Sequence, residues 1–511
     1  MDKILTNINP ATQEVIAEYN IASDKEIKDK MSLAKKCFNE NKDKKITSRL
    51  DYLQKIRAVI TSDFSNIVKD IVADTAKVDV EALMTDILPT LDLIKYYEKN
   101  AASILKRDKR KTPLFLFNNK SYLEYMPLGV VLIIAPWNFP LQLALVPAIT
   151  ALAAGNTVVI KPSEVTPLVG EIIKEIVKKA QLPEGMLQIV QGGGEVGQKL
   201  IAQQPDKIFF TGSVATGKKI MGQAAKNLIP VELELGGKDA MIVCEDCNFE
   251  RAVEAAVYGA FANTGQLCVS VERLYVAEEI YQKFVEAVVE RTKELRVGSG
   301  KDSDLGAMTY SGQIDIIKKQ LVDAQDKGAK VLTEIKEEGQ FFHPVVLTDV
   351  SHKMKVMTEE SFGPLLPIMP VKDISQAIEY ANDSPYGLNA SVWSGNQAQA
   401  EDIAQQLETG NVYINDVVKN IGNPHLPFGG VKDSGIGRYH GPEGLYSFSN
   451  LKSVMINKNK AKELNWFPYS EKLYDLLAEI IKINYGTESI FKKIKRLVKI
   501  LKPIKDMLFR K

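Results

Sequence analysis

The chain has 511 residues, of which 45% are hydrophobic and 25% charged, and its formal net charge is +1. This length exceeds what one ordinary hydrophobic core can hold, so two or three domains are expected. The composition is that of a globular protein and excludes disorder as the main state. A nearly balanced charge gives no reason to expect a nucleic acid partner.

Cysteine usage and the N-terminus indicate the compartment. The chain contains only four cysteines, Cys37, Cys244, Cys247 and Cys268. They are too few for a disulfide framework in a chain of this size, so a reducing compartment is expected. The first ten residues lack the apolar region of a signal peptide. No window reaches the roughly 18 apolar residues of a spanning helix, so we expect a cytoplasmic protein that can touch a membrane without crossing it.

The N-terminal part reads as helical, with a hairpin after it. Alternating apolar residues at 15–19 predict an edge strand, and spacings of three and four predict helices over residues 23–105. Residues 106–111 form a charge run expected in solvent. Residues 114–117 and 122–125, separated by Asn118 and Asn119, predict a hairpin that is a candidate interface arm.

From Gly129 onward, apolar strands alternate with helices. Strands are predicted at residues 130–135, 157–160, 187–190 and 208–210, with helices at 141–154 and 169–180 and near Lys218. This alternation favours a doubly wound parallel sheet with ligand at the carboxyl ends of the strands. After Gly237 the pattern resumes with strands at 240–243 and 273–276 and helices at 249–261 and 280–295, which predicts a second α/β domain.

One thiol stands out by its context. Cys268 lies in the segment Asn263-Thr-Gly-Gln-Leu-Cys268-Val-Ser270, after a run of small and apolar residues. A free cysteine is more often a buried hydrophobe than a nucleophile, so this segment alone settles little. Upstream, Glu232-Leu-Glu234-Leu-Gly-Gly-Lys238 supplies the base that a thiol forming an acyl intermediate needs to bring in water.

Two glycine-rich turns are candidates for phosphate binding. Phe210-Thr-Gly212-Ser213-Val-Ala-Thr-Gly217 joins a strand to a helix, where free backbone N–H groups suit a pyrophosphate. An ordinary turn explains that segment equally well in isolation. Gly192-Gly-Gly194-Glu-Val-Gly197 matches the G-x-G-x-x-G spacing. Because no acidic residue ends a strand about 20 residues later, we interpret it as a tight turn beside the adenosine half of a cofactor.

Two further strand ends carry polar side chains. Glu164, three residues after Lys161, can accept both hydroxyls of a ribose and repels a 2′-phosphate, which favours NAD over NADP. A surface ion pair is the alternative. Asn138 lies between Pro136 and Pro140, which fix the backbone around an amide suited to an oxyanion. A simple turn is the alternative there.

These segments resemble, in order and spacing, the motifs of the NAD(P)-dependent aldehyde dehydrogenase superfamily. The resemblance covers residues 9–457, and the 34 residues between Glu234 and Cys268 fit it. It rests on six segments: Pro136-Trp-Asn-Phe-Pro140, Lys161-Pro-Ser-Glu164, Phe210-Thr-Gly-Ser213, Glu234-Leu-Gly-Gly-Lys238, Gly265-Gln-Leu-Cys268 and Glu360-Ser-Phe-Gly-Pro364.

The resemblance implies a role for each motif. Cys268 would add to the aldehyde, while Asn138 and the Cys268 N–H would stabilise the oxyanion. Glu234 would activate the water that hydrolyses the thioester, and it favours a free acid because relatives that use coenzyme A dispense with it. The cofactor NAD would be held by Trp137, Lys161, Glu164, Gly212, Ser213, Gly217, Glu360 and Phe362. Neither Cys244-Glu-Asp-Cys247 nor the four histidines show ligand spacing, so no metal is expected.

The expected architecture has four parts. Residues 1–236 form an NAD-binding domain with the hairpin 107–126 inserted, and residues 237–440 form a catalytic domain. Residues 441–460 form an oligomerisation strand, which together with the hairpin makes a small β element for a homodimer or homotetramer. Residues 461–511 form a basic amphipathic tail.

The C-terminal tail gives an indication of the substrate class. Residues 489–511 hold nine Lys or Arg against one Asp, a net charge of +8, and their apolar residues form one helical stripe. Two interpretations remain open: a helix docked on the protein's own surface, or one lying on an anionic membrane. Trp466-Phe-Pro-Tyr469 resembles the family branch that oxidises fatty or aromatic aldehydes. A long-chain or aromatic aldehyde is therefore expected, with a short semialdehyde, or a non-catalytic scaffold, as the alternatives.

Overall fold

The computed structural model describes residues 4–113, 116, 118–460, 462–463 and 466–508, with backbone alone at 502–508. The chain divides into two compact units. The first comprises Met1–Lys106 and Tyr125–Leu451, and the second comprises Arg107–Glu124 and Lys452–Lys511.

A six-stranded sheet forms the first half of the larger unit. Its strands lie in the spatial order Gly435–Ile436, Val231–Glu234, Lys207–Thr211, Val130–Ile134, Thr157–Lys161 and Leu187–Ile189. The last five are parallel, whereas Gly435–Ile436 is an antiparallel edge strand. Val131 and Ile133 enter one hydrophobic core and Val130, Leu132 and Ile134 another, so both faces are covered, as predicted for a doubly wound sheet.

A seven-stranded sheet forms the second half of the larger unit, as the resumed alternation predicted. Its strands lie in the order Lys330–Val331, Val345–Thr348, Leu365–Val371, Val271–Ala277, Asp239–Val243, Asn389–Trp393 and Asn411–Ile414. All neighbours are parallel except the first pair. Its two faces also bury separate cores.

Helices cover both sheets. The α-helices of this unit are Asp24–Asn41, Ile46–Thr75, Asp79–Glu81, Leu88–Ile104, Pro140–Ala154, Leu168–Lys179, Gly194–Ala202, Val214–Ala225, Phe249–Phe261, Glu278–Lys293, Ser311–Asp326, Lys355–Thr358, Ile374–Asn382, Gln397–Gln406 and Gly441–Ser447. A π-helix spans Ala82–Ile87, and 3₁₀ turns span Ala262–Gly265 and Lys419–Gly422. Short two-stranded ribbons pair Ile4–Ile8 with Val15–Asn20, Glu337–Glu338 with Phe341–Phe342, and Tyr386–Gly387 with Val431–Lys432.

The second unit holds most of a three-stranded sheet and two helices. The sheet order is Ser449–Asn457, Asn119–Pro127 and Asp108–Arg110, and the helices are Glu471–Tyr485 and Ile490–Leu508. The charge run at residues 106–111 is largely exposed to solvent, as expected, but it also contains a strand that the sequence did not indicate, because Asp108–Arg110 pairs antiparallel with Asn119–Pro127. Of the strand predicted at 114–117, Leu114, Phe115 and Phe117 lie outside the described residues. Among the described helices, none is long and apolar enough to cross a membrane.

Candidate active site

Cys268 follows a tight turn between helix Phe249–Phe261 and strand Val271–Ala277. Asn263 and Thr264 adopt left-handed backbone angles, with φ of 50° and 55°, which non-glycine residues rarely do. Gly265 also has a positive φ, and a Cβ there would lie 2.3 Å from the carbonyl carbon of Gly363. This strained turn therefore requires glycine at 265 and places the thiol at a defined point of the larger unit.

The Asn138 amide reaches the same loop. Its Nδ2 donates a hydrogen bond to the carbonyl oxygen of Gln266 at 3.0 Å, two residues before Cys268, and the side chain is buried. Gln266 is itself fixed, since its Oε1 accepts from the Thr309 N–H at 2.8 Å and its Nε2 donates to the Asn263 carbonyl at 2.9 Å. The structure thus brings together the amide and the thiol loop that the sequence singled out.

Glu234 ends the strand Val231–Glu234 as a buried carboxyl. In the described part of the protein, neither of its oxygens accepts a hydrogen bond from a protein donor. Burial raises the pKa of Glu234 well above its ordinary value, the neighbouring Glu232 raises it further, and Arg438 opposes both. A buried, unpaired carboxyl with a raised pKa has the properties of a general base.

The surroundings of Cys268 disfavour its thiolate form. Burial raises its pKa above the ordinary value, and the carboxyl groups of Asp239, Glu360 and Glu234 raise it further. The thiolate is the nucleophilic form of cysteine, so a base must take the proton or a positive charge must approach. A Cβ at Gly237 would lie 2.7 Å from the Cys268 carbonyl oxygen, so the segment that follows Glu234 passes beside the thiol loop.

Lys161 and Glu164 form an ion pair at the end of strand Thr157–Lys161, which the sequence left open as the alternative to a ribose-binding carboxylate. Lys161 is buried, and its Nζ donates to Glu164 Oε2 at 3.0 Å and to the Gly192 carbonyl at 2.8 Å. Glu164 is exposed, and a Cβ at Gly193 would lie 3.5 Å from its Oε1. The turn at residues 192–197 therefore lies beside this pair.

The turn at residues 210–217 starts a helix, as predicted. Ser213 caps helix Val214–Ala225, its Oγ accepting from the Thr216 N–H at 3.4 Å. Gly217 has another function in the fold: a Cβ there would lie 2.7 Å from Leu235 Cδ2, so the glycine allows the helix to approach this residue closely. Gly212 and Ser213 stand at the N-terminus, where backbone N–H groups attract anions.

Glu360, Phe362 and Trp137 gather around the segment after Glu234. Glu360 Oε1 accepts from the Gly237 N–H at 3.0 Å, and a Cβ at Gly236 would lie 2.3 Å from its Oε2. Burial, followed by the neighbouring Glu272, raises the pKa of Glu360 to about 8. The Phe362 ring packs edge-on against Trp137 with 5.3 Å between ring centroids.

A buried ion pair that sequence reasoning missed supports this loop. Lys238 Nζ donates to Glu272 Oε2 at 2.6 Å and to Ser361 Oγ at 3.0 Å. Glu272 also accepts from the N–H groups of Ser361 and Phe362. Lys238 ends a recognised motif, but Glu272 carries no local signal that could have identified it.

The remaining thiols and histidines form no second centre. Burial raises the pKa of Cys244 to about 12 and that of Cys247 to about 11, so neither is a reactive thiolate near neutral pH. In the described ranges, no three His, Cys, Asp or Glu side chains are grouped so that they could hold a metal ion.

The larger unit thus brings the thiol loop close to the Asn138 amide and to the segment that follows Glu234, as the motif resemblance implies. A family model described as the aldehyde dehydrogenase family matches residues 2–454. The chain belongs to the aldehyde dehydrogenase family, as the six motifs predicted, and it is an NAD(P)-dependent aldehyde dehydrogenase.

Three relatives illustrate the similarity. A 4,4′-diapolycopene aldehyde oxidase from Methylomonas sp is 42% identical over 501 residues, which cover 98% of this chain and 94% of the relative. A Mycobacterium ulcerans (strain Agy99) protein provisionally named succinate-semialdehyde dehydrogenase (NADP+) 2 is 39% identical over 366 residues, 70% of each chain. The solved NAD+ complex of an aldehyde dehydrogenase from Bacillus cereus superposes with a TM-score of 0.85 at 32% identity, covering 89% of this chain and 94% of that chain.

Proposed function

We propose that this protein oxidises a long-chain, apolar aldehyde to the carboxylic acid with NAD+. The observation that carries the substrate class is the similarity to 4,4′-diapolycopene aldehyde oxidase, which extends over 98% of the chain. The similarity to the succinate-semialdehyde relative extends over only 70%. The surroundings of the thiol support the same class, since Cys268 packs against an apolar cluster that includes Phe139 and Leu267.

Cys268 begins the reaction as the nucleophile. Its thiol first loses its proton to solvent, and Sγ then forms a bond to the carbonyl carbon while the π-electron pair moves to oxygen, giving a thiohemiacetal oxyanion. The second Nδ2–H of Asn138 and the backbone N–H of Cys268 donate to that oxygen and stabilise its charge. A bound NAD+ would supply the acceptor for the hydride that leaves the tetrahedral carbon, and Cys268 would then carry a thioester.

Glu234 completes the reaction as the base. It removes a proton from water as the water oxygen attacks the thioester carbon. Collapse of the resulting intermediate breaks the C–S bond, returns the electron pair to Sγ and releases the carboxylic acid. The burial of Glu234 and its raised pKa support this role.

The residues on the cofactor side fit a dinucleotide. The exposed Glu164 and buried Lys161 would hold the adenosine ribose, and the N-terminus at Gly212 and Ser213 would border the pyrophosphate, with Gly217 packed behind it. A Cβ at Gly194 would meet nothing within 4 Å, so this turn leaves space beside the ion pair. Glu360, Phe362 and Trp137 would hold the nicotinamide ribose.

The test is kcat/KM for linear aldehydes of increasing length and for succinic semialdehyde, each with NAD+ and NADP+. Each buried methylene is worth about 0.8 kcal/mol, so kcat/KM should rise by up to about fourfold per carbon. NAD+ should be preferred by about tenfold or more, and E164Q should narrow that preference because it removes the charge that repels a 2′-phosphate. A maximum at succinic semialdehyde would refute the long-chain assignment, and equal use of NADP+ would refute the NAD assignment.

We further propose a peripheral membrane contact through residues 489–511. The apolar stripe of helix Ile490–Leu508 is exposed at each position whose side chain is described: Ile490, Phe491, Ile494, Leu497, Val498 and Leu501. The helix packs on Glu471–Tyr485 by another face, where Arg496 pairs with Glu479 at 2.7 Å and with Glu488 at 2.8 Å. An exposed apolar stripe flanked by lysines supports an anionic membrane rather than docking of that stripe on the protein.

We also propose a homodimer or homotetramer in the cytoplasm. Strand Ser449–Asn457 ends the order of the three-stranded sheet and exposes Leu451, Met455 and Ile456. An apolar edge strand of this kind favours pairing with another chain. All four cysteines are free thiols, which supports a reducing compartment. Sedimentation velocity should give a mass of two or four chains, and a single-chain mass at micromolar concentration would contradict this proposal.

A further inference from the structure

A buried ion pair lies behind the Asn138 amide. Lys77 Nζ and Asp86 Oδ2 are 2.8 Å apart, and the two side chains are 1% and 0% exposed. Lys77 follows the end of helix Ile46–Thr75, and Asp86 lies in the π-helix Ala82–Ile87. π-Helical turns are rare and occur frequently at functional sites, yet neither residue takes part in the chemistry described above.

Asp86 caps the helix that follows the Asn138 turn. Helix Pro140–Ala154 begins at a proline, and its N-cap residue Phe139 offers no side-chain acceptor. Asp86 Oδ1 instead accepts from the N–H groups of Leu141 at 3.1 Å and Gln142 at 3.2 Å. These groups are among the N–H donors that a helix start leaves without partners, so a residue from another helix performs the capping.

Lys77 fixes the other end of the same turn. Its Nζ donates to the Asn138 carbonyl oxygen at 2.8 Å and lies 4.5 Å from the centre of the Phe139 ring. The Asn138 side chain is held separately, because its Nδ2 donates to the Gln266 carbonyl. With both the backbone and one amide proton of Asn138 fixed, the direction of its remaining N–H is fixed as well.

We infer that Lys77 and Asp86 are positioning residues for oxyanion stabilisation, because they hold Asn138 without touching substrate or cofactor. Stability alone does not account for the pair, since apolar residues of similar volume often replace a buried ion pair without loss. The geometry of the pair explains its presence. The Lys77 ammonium fixes the carbonyl of Asn138, and the Asp86 carboxylate fixes the start of helix Pro140–Ala154. The inference rests on the proposed role of Asn138 as an oxyanion donor.

The test is a double-mutant cycle read by the pre-steady-state burst of NADH. K77M should lower the burst rate about 10- to 100-fold. This effect should not exceed the one caused by removing an oxyanion donor itself. In an N138A background, the same K77M substitution should change the burst rate by less than about twofold, because the group that it positions is already gone. The Kd for NAD+ should stay within about twofold of that of the wild type in both backgrounds.

Two further variants separate positioning from folding. V288A truncates a core side chain of the second α/β domain, and should lower the Tm without changing the burst. D86N keeps the side-chain volume but removes the charge that holds Lys77, and is compared in the same cycle if K77M does not fold. A K77M effect as large without Asn138 as with it would refute the positioning role alone. An unchanged burst in N138A would instead refute the oxyanion role on which the inference rests.

Discussion

In the proposed mechanism, the reaction depends on the proton state of one carboxyl group, Glu234. Burial and the neighbouring Glu232 raise its pKa, while Arg438 lowers it, and Glu234 in turn raises the pKa values of Cys268 and Tyr439. A general base acts only when ionised, so kcat should fall as the pH is lowered through this raised pKa. The midpoint of this fall in the kcat–pH profile should therefore lie above the ordinary glutamate pKa of about 4.3.

A single substitution next to Glu234 tests this electrostatic account. Glu232 forms a buried ion pair with Lys207 at 2.7 Å. E232Q removes a negative charge beside Glu234 and leaves the positive charge of Lys207 without its partner. Each of these effects lowers the pKa of Glu234. The limb of the kcat–pH profile should move to lower pH. A limb that stays in place, or moves to higher pH, would show that Glu232 does not influence the base.

The sequence pointed to the proposed reacting residues, but not to the residues that hold them in place. Cys268, Glu234 and Asn138 each lie in a short segment with its own chemical pattern, and the structure brings these segments together. Lys77 reaches Asn138 across 61 residues, and Glu272 supports a loop about 90 residues further along the chain. Contacts of this range leave no periodic or motif signal, so only the folded chain identifies them.

At the scale of secondary-structure elements, continuous apolar runs located the central strands and their helices. The predicted helix at 249–261 is observed as Phe249–Phe261, and the strand at 240–243 as Asp239–Val243. Edge elements were harder to predict: Asp108–Arg110 reads as a solvated charge run because an edge strand needs no apolar face. Gly435–Ile436, which pairs with the strand of Glu234, is too short to show any period.

The tail helix carries a prediction at this scale. The full chain should sediment with vesicles containing anionic lipid and remain in solution with neutral vesicles, and added salt should weaken the binding. The double variant F491D/I494D should bind about 100-fold more weakly, since each buried apolar side chain is worth about 1.5–3 kcal/mol.

A matched control removes an apolar side chain elsewhere. Leu228 is 89% exposed in the larger unit, so L228D replaces one exposed apolar side chain by a carboxylate at a site outside the tail and should leave vesicle binding intact. If L228D weakened vesicle binding as much as the tail variant does, the weakening would be a general effect of added negative charge on the protein. Wild-type protein that stays in solution with anionic vesicles would contradict the membrane contact.

Across the whole molecule, the larger unit joins two parallel sheets through the segments that carry the chemistry. Glu234 ends a strand of the first sheet, whereas Cys268 immediately precedes the strand Val271–Ala277 of the second. The chain later returns to the first sheet as Gly435–Ile436. The predicted alternation gave both sheets, but this return did not follow from it, because two residues beside a glycine-rich loop give no strand pattern. Cys268 and Glu234 therefore lie beside strands of different sheets.

The central claim is that Cys268 forms a thioester that Glu234 hydrolyses, and rapid mixing of the E234Q variant with NAD+ and an aldehyde tests it most directly. The variant should release a burst of about one NADH per active site, because acylation precedes the step that needs the base. Steady-state turnover should then be slower than that of the wild type by about 10²- to 10⁴-fold, the usual contribution of a general base. Steady-state turnover equal to that of the wild type would contradict the account.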